Sequence, residues 1–239
     1  MNSIVIILGI VIVILIYVLY KYFTNRSSTL QSEASLTTVL PQITSVQSPT
    51  NTRYAYGIWV YVNSWDPNVN KTIFSRNGNM KVYLDRYSPT LLVDVTMTDN
   101  SVQKMVMTDN FPIQKWVHII VSVDNQFVDG YLDGKLVKSQ RFYLAASAAN
   151  SSVLMPKTPP DVSTPIFLGN SDVSAAGFTS FDTFIAKFKR WTNPIDPQTA
   201  WSTYLEGNGS NAMSNAVSSY GLNLAVLKDN VEQSKYILF

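Results

Sequence analysis

The stretch Trp116 to Arg141, WVHIIVSVDNQFVDGYLDGKLVKSQR, decides the fold. Side chains alternate along a strand, so Trp116, His118, Ile120 and Ser122 share one face. Val117, Ile119, Val121 and Val123 share the other. Asp124-Asn125-Gln126 interrupts the run with turn-forming residues. Phe127, Val128, Tyr131 and Leu132 resume it. Asp133-Gly134 then predicts a tight hairpin, because a two-residue turn needs positive φ and Asp-Gly accepts it at little steric cost. Leu136 and Val137 begin the return strand.

Working upstream, Tyr54, Tyr56, Ile58, Val60 and Val62 alternate with Ala55, Gly57, Trp59 and Tyr61. Both faces are apolar, which predicts a central strand buried on two sides. Lys71–Ser75 and Met80–Asp85 read as strands around a turn at Arg76 to Asn79. Thr90–Thr98 and Val102–Thr108 form a second pair around Asp99-Asn100. Strands at this short spacing predict an all-β antiparallel sandwich. Downstream, Tyr143 to Pro165 reads as a long Ala/Ser/Pro-rich loop. Ile166–Asn170 and Phe181–Trp191 read as strands, and Asp196–Leu205 as a short helix with Asp196 as cap and Pro197 in its first position.

Two segments carry a family resemblance. The pattern Trp116-x-His118, Val121-x-Val123-Asp124, Val128-x-x-Tyr131-Leu132-Asp133-Gly134-Lys135-Leu136-Val137 resembles the central hairpin of laminin-G-like, concanavalin A-like domains. Phe181-Asp182-x-Phe184-Ile185-Ala186-x-Phe188-x-x-Trp191-x-Asn193-x-Ile195-x-Pro197 is similar to the later segment of those domains, where a strand turns into a short helix. Trp59 falls in the aromatic slot of an early strand. The resemblance implies a jelly-roll sandwich. It leaves function open, since that fold hosts lectins, adhesion modules, glycosidases and structural proteins.

The amino-terminal run Ile4 to Tyr20 is aliphatic, without charge or proline. Its length is close to the roughly 20 residues that a helix needs to cross a bilayer. Ile4, Leu8, Ile12, Leu15 and Leu19 mark this expected membrane anchor, with Tyr20 and Lys21 at its interface. A cleaved signal peptide fits poorly, because no basic residue precedes the run and no small-x-small site follows it. Lys21 and Arg26 lie after it, so the positive-inside rule puts the remainder on the cytosolic side of a single-pass membrane protein. The organisation expected is an anchor at 1–23, a polar stalk at 24–52, the sandwich at 53–205, and a linker with a terminal β-hairpin at 206–239. Tyr236, Ile237, Leu238 and Phe239 end that hairpin and must be covered, either by closing a sandwich edge or by contact with a partner.

Charged residues make up 14% of the 239 residues and the formal net charge is +2. This gives no basic stripe for nucleic acid. Lys187, Lys189 and Arg190 read as a solvated strand face. There is no cysteine, which excludes disulfides and cysteine-ligated zinc and leans toward a reducing compartment. Sequons at Asn25, Asn70, Asn150 and Asn208 carry little weight in a chain so rich in Asn, Ser and Thr.

Chemistry is sparse. The glutamates are Glu33, Glu206 and Glu232, and none belongs to the pair of placed carboxyls that glycoside hydrolysis requires. Turns account for most of Asp66, Asp85, Asp94 and Asp99. His118, the single histidine, reads as a packed, hydrogen-bonded structural residue. No catalytic residue and no cofactor is expected. Some relatives by resemblance bind calcium at a sandwich rim, and Asp66, Asn68, Asn70 and Asp172 are the candidate ligands. Trp65, Trp201 and Tyr87 are candidates for carbohydrate contact. The expected role is a non-enzymatic, membrane-anchored structural or interaction protein. Proteins of large DNA viruses with an internal membrane are similar in style, which points to a minor capsid protein tying membrane to shell and partnered by lipid and capsid proteins. The alternative is a carbohydrate-binding or adhesion module on a surface.

Overall fold

The structure is a computed structural model that describes residues 3–24, 27–143, 152–171, 177–209, 223–228 and 231–237. Side chains of the first helix are described at 8–17 and 19, and those of the last two strands are not. The chain opens with α1 (Ser3–Thr24) and β1 (Ser27–Ser35), followed by β2 (Tyr54–Val62), β3 (Lys71–Arg76), β4 (Met80–Leu84), β5 (Leu91–Thr96) and β6 (Val102–Thr108). It continues through β7 (Trp116–Asp124), β8 (Phe127–Leu132), β9 (Lys135–Tyr143), β10 (Val153–Leu154), β11 (Phe167–Leu168), β12 (Thr183–Trp191), α2 (Pro197–Leu205), β13 (Asn223–Lys228) and β14 (Val231–Ile237).

Two antiparallel sheets face each other. One has the order β1-β12-β2-β7-β8-β9-β10 and the other β11-β3-β4-β5-β6. Alternation builds the core between them. Tyr54, Tyr56, Ile58, Val60 and Val62 of β2 and Val117, Ile119, Val121 and Val123 of β7 meet Ile73, Val82, Leu84, Val93 and Val95 of the opposite sheet. Each such buried aliphatic or aromatic side chain stabilises the fold by roughly 1.5–3 kcal/mol before the entropy of ordering is counted.

The hairpin forms as its sequence requires. Asp133 and Gly134 both take positive φ, 47° and 76°, as a primed two-residue turn demands. A Cβ at Gly134 would also meet Trp201 at 2.9–3.0 Å, so the position is restricted twice. The double-sided burial expected for β2 is present, and its second face is closed by a smaller cluster of Ala55, Ile120, Tyr131, Trp191, Ile195 and Ala200 beneath α2. Asp196 caps α2 through its side chain, which accepts from the Thr199 amide at 2.7 Å, with Pro197 at the first turn.

Three expectations are corrected. The segment 24–52 is not a stalk, and the fold does not begin at Arg53. Ser27–Ser35 forms the edge strand β1, paired with β12 from Ser27↔Trp191 to Ser35↔Phe184. Leu36 and Val46 are buried, and Ile43 bridges Ile166. Second, Lys187, Lys189 and Arg190 are not one solvated face. Lys187 takes a φ of 46°, and the register with β2 slips between Ala186 and Lys189. This bulge turns Phe188 and Arg190 into the sandwich. Arg190 is 0% exposed; its guanidinium donates to the Gln47 and Ser48 carbonyls and lies over the rings of Tyr54 and Tyr56. Third, the terminal hairpin does not close a sandwich edge. β13 and β14 pair with each other as a separate two-stranded sheet.

Candidate functional site

The outer face of the seven-stranded sheet carries two rows of aromatic side chains, set by parity and register. Trp59 and Tyr61 point outward from β2, while His118 and Trp116 point outward from β7, paired as Trp59↔His118 and Tyr61↔Trp116. From β12, Ala186 lies opposite Trp59 and Phe184 opposite Tyr61. The inner row is covered. Trp59 stacks on His118 at 4.9 Å between ring centroids and on Tyr204 of α2 at 5.5 Å. The outer row, Phe184–Tyr61–Trp116, lies beyond the helix. Tyr61 and Trp116 are half-buried at 5.5 Å from each other, and Phe184 is 42% exposed.

The boundary between the rows is where α2 stops. Glu206 ends the helix, and Gly207 follows at a φ of 66°. Lys187, the bulge residue, donates to the Glu206 and Gly207 carbonyls at 3.0 and 2.8 Å, where a helix C-terminus favours a cation. Lys189 adds an ion pair to the Glu206 carboxylate at 2.8 Å. Partial burial holds the Lys187 ammonium below the usual lysine range, with Lys189 adding to the shift.

A groove of about 400 Å³ opens beside the outer row, lined by Glu33, Ser35, Trp116, Phe184, Ala186 and Asn208 among others. Its aromatic edges suit the C–H face of a sugar ring or an apolar side chain, and the Glu33 carboxylate can accept from hydroxyl or amide donors. Glu33 is the one acid among its described lining residues, so it holds no carboxylate pair.

His118 is buried beneath α2. Burial, followed by the charges of Lys189 and Lys187, lowers its pKa to about 3. It is neutral at physiological pH, and its Nδ1 has no hydrogen-bond partner. The expected packed role holds, without the side-chain hydrogen bond.

The described calcium candidates Asp66 and Asn70 are engaged in hydrogen bonds within the protein. Asp66 Oδ1 accepts from the Asn68 amide at 2.8 Å, an ordinary Asx turn. The Asn70 carbonyl accepts from Asn170 at 2.6 Å. The loop's carbonyls are already held by a protein cation: buried Lys71 donates to Asp66 O, Val69 O and Arg86 O at 2.6, 3.1 and 2.8 Å, under the Trp65 ring at 4.3 Å. Burial lowers its pKa, with Asp66 opposing the shift. Asp172 lies outside the described residues, and among those described no group of three or more His, Cys, Asp or Glu side chains could hold a metal.

Trp65 is half-buried with its ring on the Lys71 ammonium, apart from the groove. Trp201 is exposed on α2 and Tyr87 in a loop, each apart from the groove. Among the partner residues, Tyr236 and Ile237 fall in β14, and Leu238 and Phe239 lie outside the described residues. Leu8, Ile12, Leu15 and Leu19 are exposed on α1; Ile4, Tyr20 and Lys21 belong to the helix by backbone only. Among the described residues, no helix is long and apolar enough to cross a membrane. Sequence reasoning missed Tyr61, Trp116, Phe184 and Glu33 as a group. Their outward parity was readable, but the register that aligns three strands was not.

A laminin G family model described as the concanavalin A-like lectin/glucanases superfamily matches residues 37–200. The chain belongs to that superfamily. Comparison with curated proteins returned no match. Solved structures are similar to the chain at low identity. The receptor-binding domain of botulinum neurotoxin D is 12% identical, with 75% of this chain and 45% of that chain covered and a TM-score of 0.51. A serotype D binding domain is 11% identical over 76% of this chain and 44% of that one, with a TM-score of 0.50. The type G receptor-binding domain is 16% identical over 65% and 38%, with a TM-score of 0.41. The chain thus spans less than half the length of these structures. The superfamily match begins at residue 37, after β1, the edge strand that walls the groove.

Proposed function

We propose that this chain is a non-enzymatic, membrane-anchored, lectin-like binding module with its ligand site at the outer aromatic row and the groove beside it. The observation that carries the proposal is that Phe184, Tyr61 and Trp116 are aligned across three strands and, among the described residues, are left half-buried to exposed where α2 ends. Three aromatics side by side on a rigid sheet form a preorganised platform, and little ordering cost remains for binding. The superfamily match favours a carbohydrate ligand. The lone Glu33 favours a neutral one, since an acidic sugar would meet its charge.

The anchor in this proposal is α1. Its backbone is helical over 22 residues, about 33 Å at 1.5 Å per residue, against a hydrocarbon core of about 30 Å. Its described side chains at 8–17 are exposed on every side, and an all-apolar helix needs an apolar surrounding. Lys21 and Arg26 put the sandwich on the cytosolic side.

A second reading takes a protein partner, in the form of a minor capsid protein linking an internal virion membrane to its shell. It draws support from the open face of the five-stranded sheet, where Val102 and Val106 are 61% and 45% exposed beside Tyr83. The full chain in lipid nanodiscs, screened on a glycan array, tests the first reading. Binding that Trp116→Ala abolishes supports it. Absence of glycan binding, with a capsid-protein interaction that Val106→Asp removes, transfers the role to the second.

A further inference from the structure

The anchor and the sandwich are joined with almost no slack. α1 ends at Thr24 and β1 begins at Ser27, so the two Cα atoms are at most about 11 Å apart whatever Asn25 and Arg26 do. β1 is then fixed along its whole length to β12. If α1 is the anchor, the end of the sandwich where β1 starts cannot leave the membrane surface.

Register identifies that end. Ser27 pairs with Trp191, Trp191 with Ala55, Tyr54 with Val123, and Asp124 with Phe127. The β7–β8 turn and the segment preceding β2 therefore lie at the membrane-proximal rim. The Phe184–Tyr61–Trp116 row lies at the opposite end of the same strands. Nine residues of β1 place it about 30 Å farther out.

The two rims differ in chemistry. At the proximal rim Phe127 and Tyr143 are 40% and 46% exposed, and the Arg141 guanidinium lies over both rings at 5.3 and 5.7 Å. Arg53 there is paired with Asp124, and Arg76 and Arg190 are buried with their guanidiniums on backbone carbonyls, which leaves Arg141 as the cation set among exposed rings. Aromatic rings with a guanidinium between them suit the headgroup layer, where rings sit at the interface and arginine reaches phosphate. The distal rim carries Glu33, Asp66, Asp85, Asp133 and Asp182 interleaved with Lys71, Arg86, Lys115 and Lys135, among them the Lys115–Asp133 pair, and among the described residues has no comparable cluster of rings around a guanidinium.

We infer that the proximal rim rests directly on an anionic lipid surface, with Phe127, Arg141 and Tyr143 as its contact, so that the aromatic groove is held facing away from the bilayer. The inference rests on the anchor proposed above. The cytosolic leaflet is the anionic one, which suits the Arg141 guanidinium held between Phe127 and Tyr143.

The chain contains no cysteine, so single labels can be placed without background. Full-length Thr52→Cys and Asn110→Cys, one exposed position on each rim, are labelled with a fluorophore. They are reconstituted into phosphatidylcholine vesicles with and without phosphatidylserine, carrying a headgroup quencher. The expected result is flotation of both variants and quenching several-fold stronger at position 52 than at 110, increased by phosphatidylserine. Adding Phe127→Ser and Tyr143→Ser should remove the phosphatidylserine-dependent increase at 52 with flotation unchanged, and an increase that persists overturns the inference. Flotation with equal quenching at the two positions overturns the inference and leaves the anchor standing. Protein that stays in the aqueous fraction overturns the anchor and the inference together.

Discussion

Two rows of aromatics lie on one sheet face, a single pleat apart, and differ in what covers them. Trp59 and His118 are sealed beneath Tyr204, whereas Tyr61 and Trp116 are not. Composition does not separate them, nor does strand, parity or partner spacing. What separates them is the length of α2, which ends where Lys187 and the Gly207 turn hold its last carbonyls. The same residue types are thus core in one row and site in the next. A one-residue bulge in β12 supplies the cation that sets the border.

The largest expected effect removes the covered row. Trp59→Ala takes out the ring between His118 and Tyr204 and should cost about 3–5 kcal/mol, as for other buried Trp truncations. Chemical denaturation of the full chain in nanodiscs reads it; a loss under about 1 kcal/mol would mean that α2 does not depend on this stack.

The second effect separates the rows by pH. His118 has a folded pKa of about 3, below the unfolded value of about 6.5. Between these values the unfolded chain binds the extra proton, so stability is fully present above about pH 6.5 and falls as the pH drops toward 3. The slope approaches 1.4 kcal/mol per pH unit. The turn aspartates Asp85, Asp99 and Asp161 and the helix cap Asp196 have lowered pKa values, through hydrogen bonds to neighbouring amides and hydroxyls. Their contribution is lost only below about pH 4, which leaves pH 6.5 to 4.5 to the histidine. His118→Phe should flatten denaturation midpoints across that window, and an unchanged slope would place the titration elsewhere.

A smaller effect moves the border itself. Lys187→Met removes the charged donor to two helix-end carbonyls and should cost about 1.5 kcal/mol. It should also raise hydrogen exchange in α2 before it does so in β2. Uniform exchange across both elements would show that Lys187 does not fix the helix end. The smallest effect concerns the distal rim. With Lys71 already on three carbonyls, millimolar calcium should leave Tm unchanged, and a rise of several degrees would show a cation site there.

The sandwich was legible where local chemistry and tertiary context agree. Asp133-Gly134 can hardly be anything but a hairpin turn, and the two-sided apolar alternation of β2 has no other home than a central strand. β1 was not legible. SSTLQSEAS is polar and short of β-branched residues, as befits an edge strand, and its structure comes from β12 rather than from its own propensity. The burial of Arg190 was hidden by the bulge at Lys187, because one extra residue reverses the face of everything after it. The aromatic row was half legible: parity gave the face of each ring, but alignment across three strands and the reach of α2 are properties of the assembled sheet.

In the function proposed, the outer row is the binding surface and the row beneath α2 is core. The measurement that tests this most directly is a paired comparison of Trp116→Ala and Trp59→Ala in full-length protein, reading ligand affinity on the glycan array and unfolding free energy on the same preparations. The expected result for Trp116→Ala is at least a tenfold loss of affinity, equivalent to about 1.4 kcal/mol of binding energy, with stability nearly unchanged. Trp59→Ala should lose stability first. Undiminished glycan binding by Trp116→Ala, in a folded protein, would contradict the account.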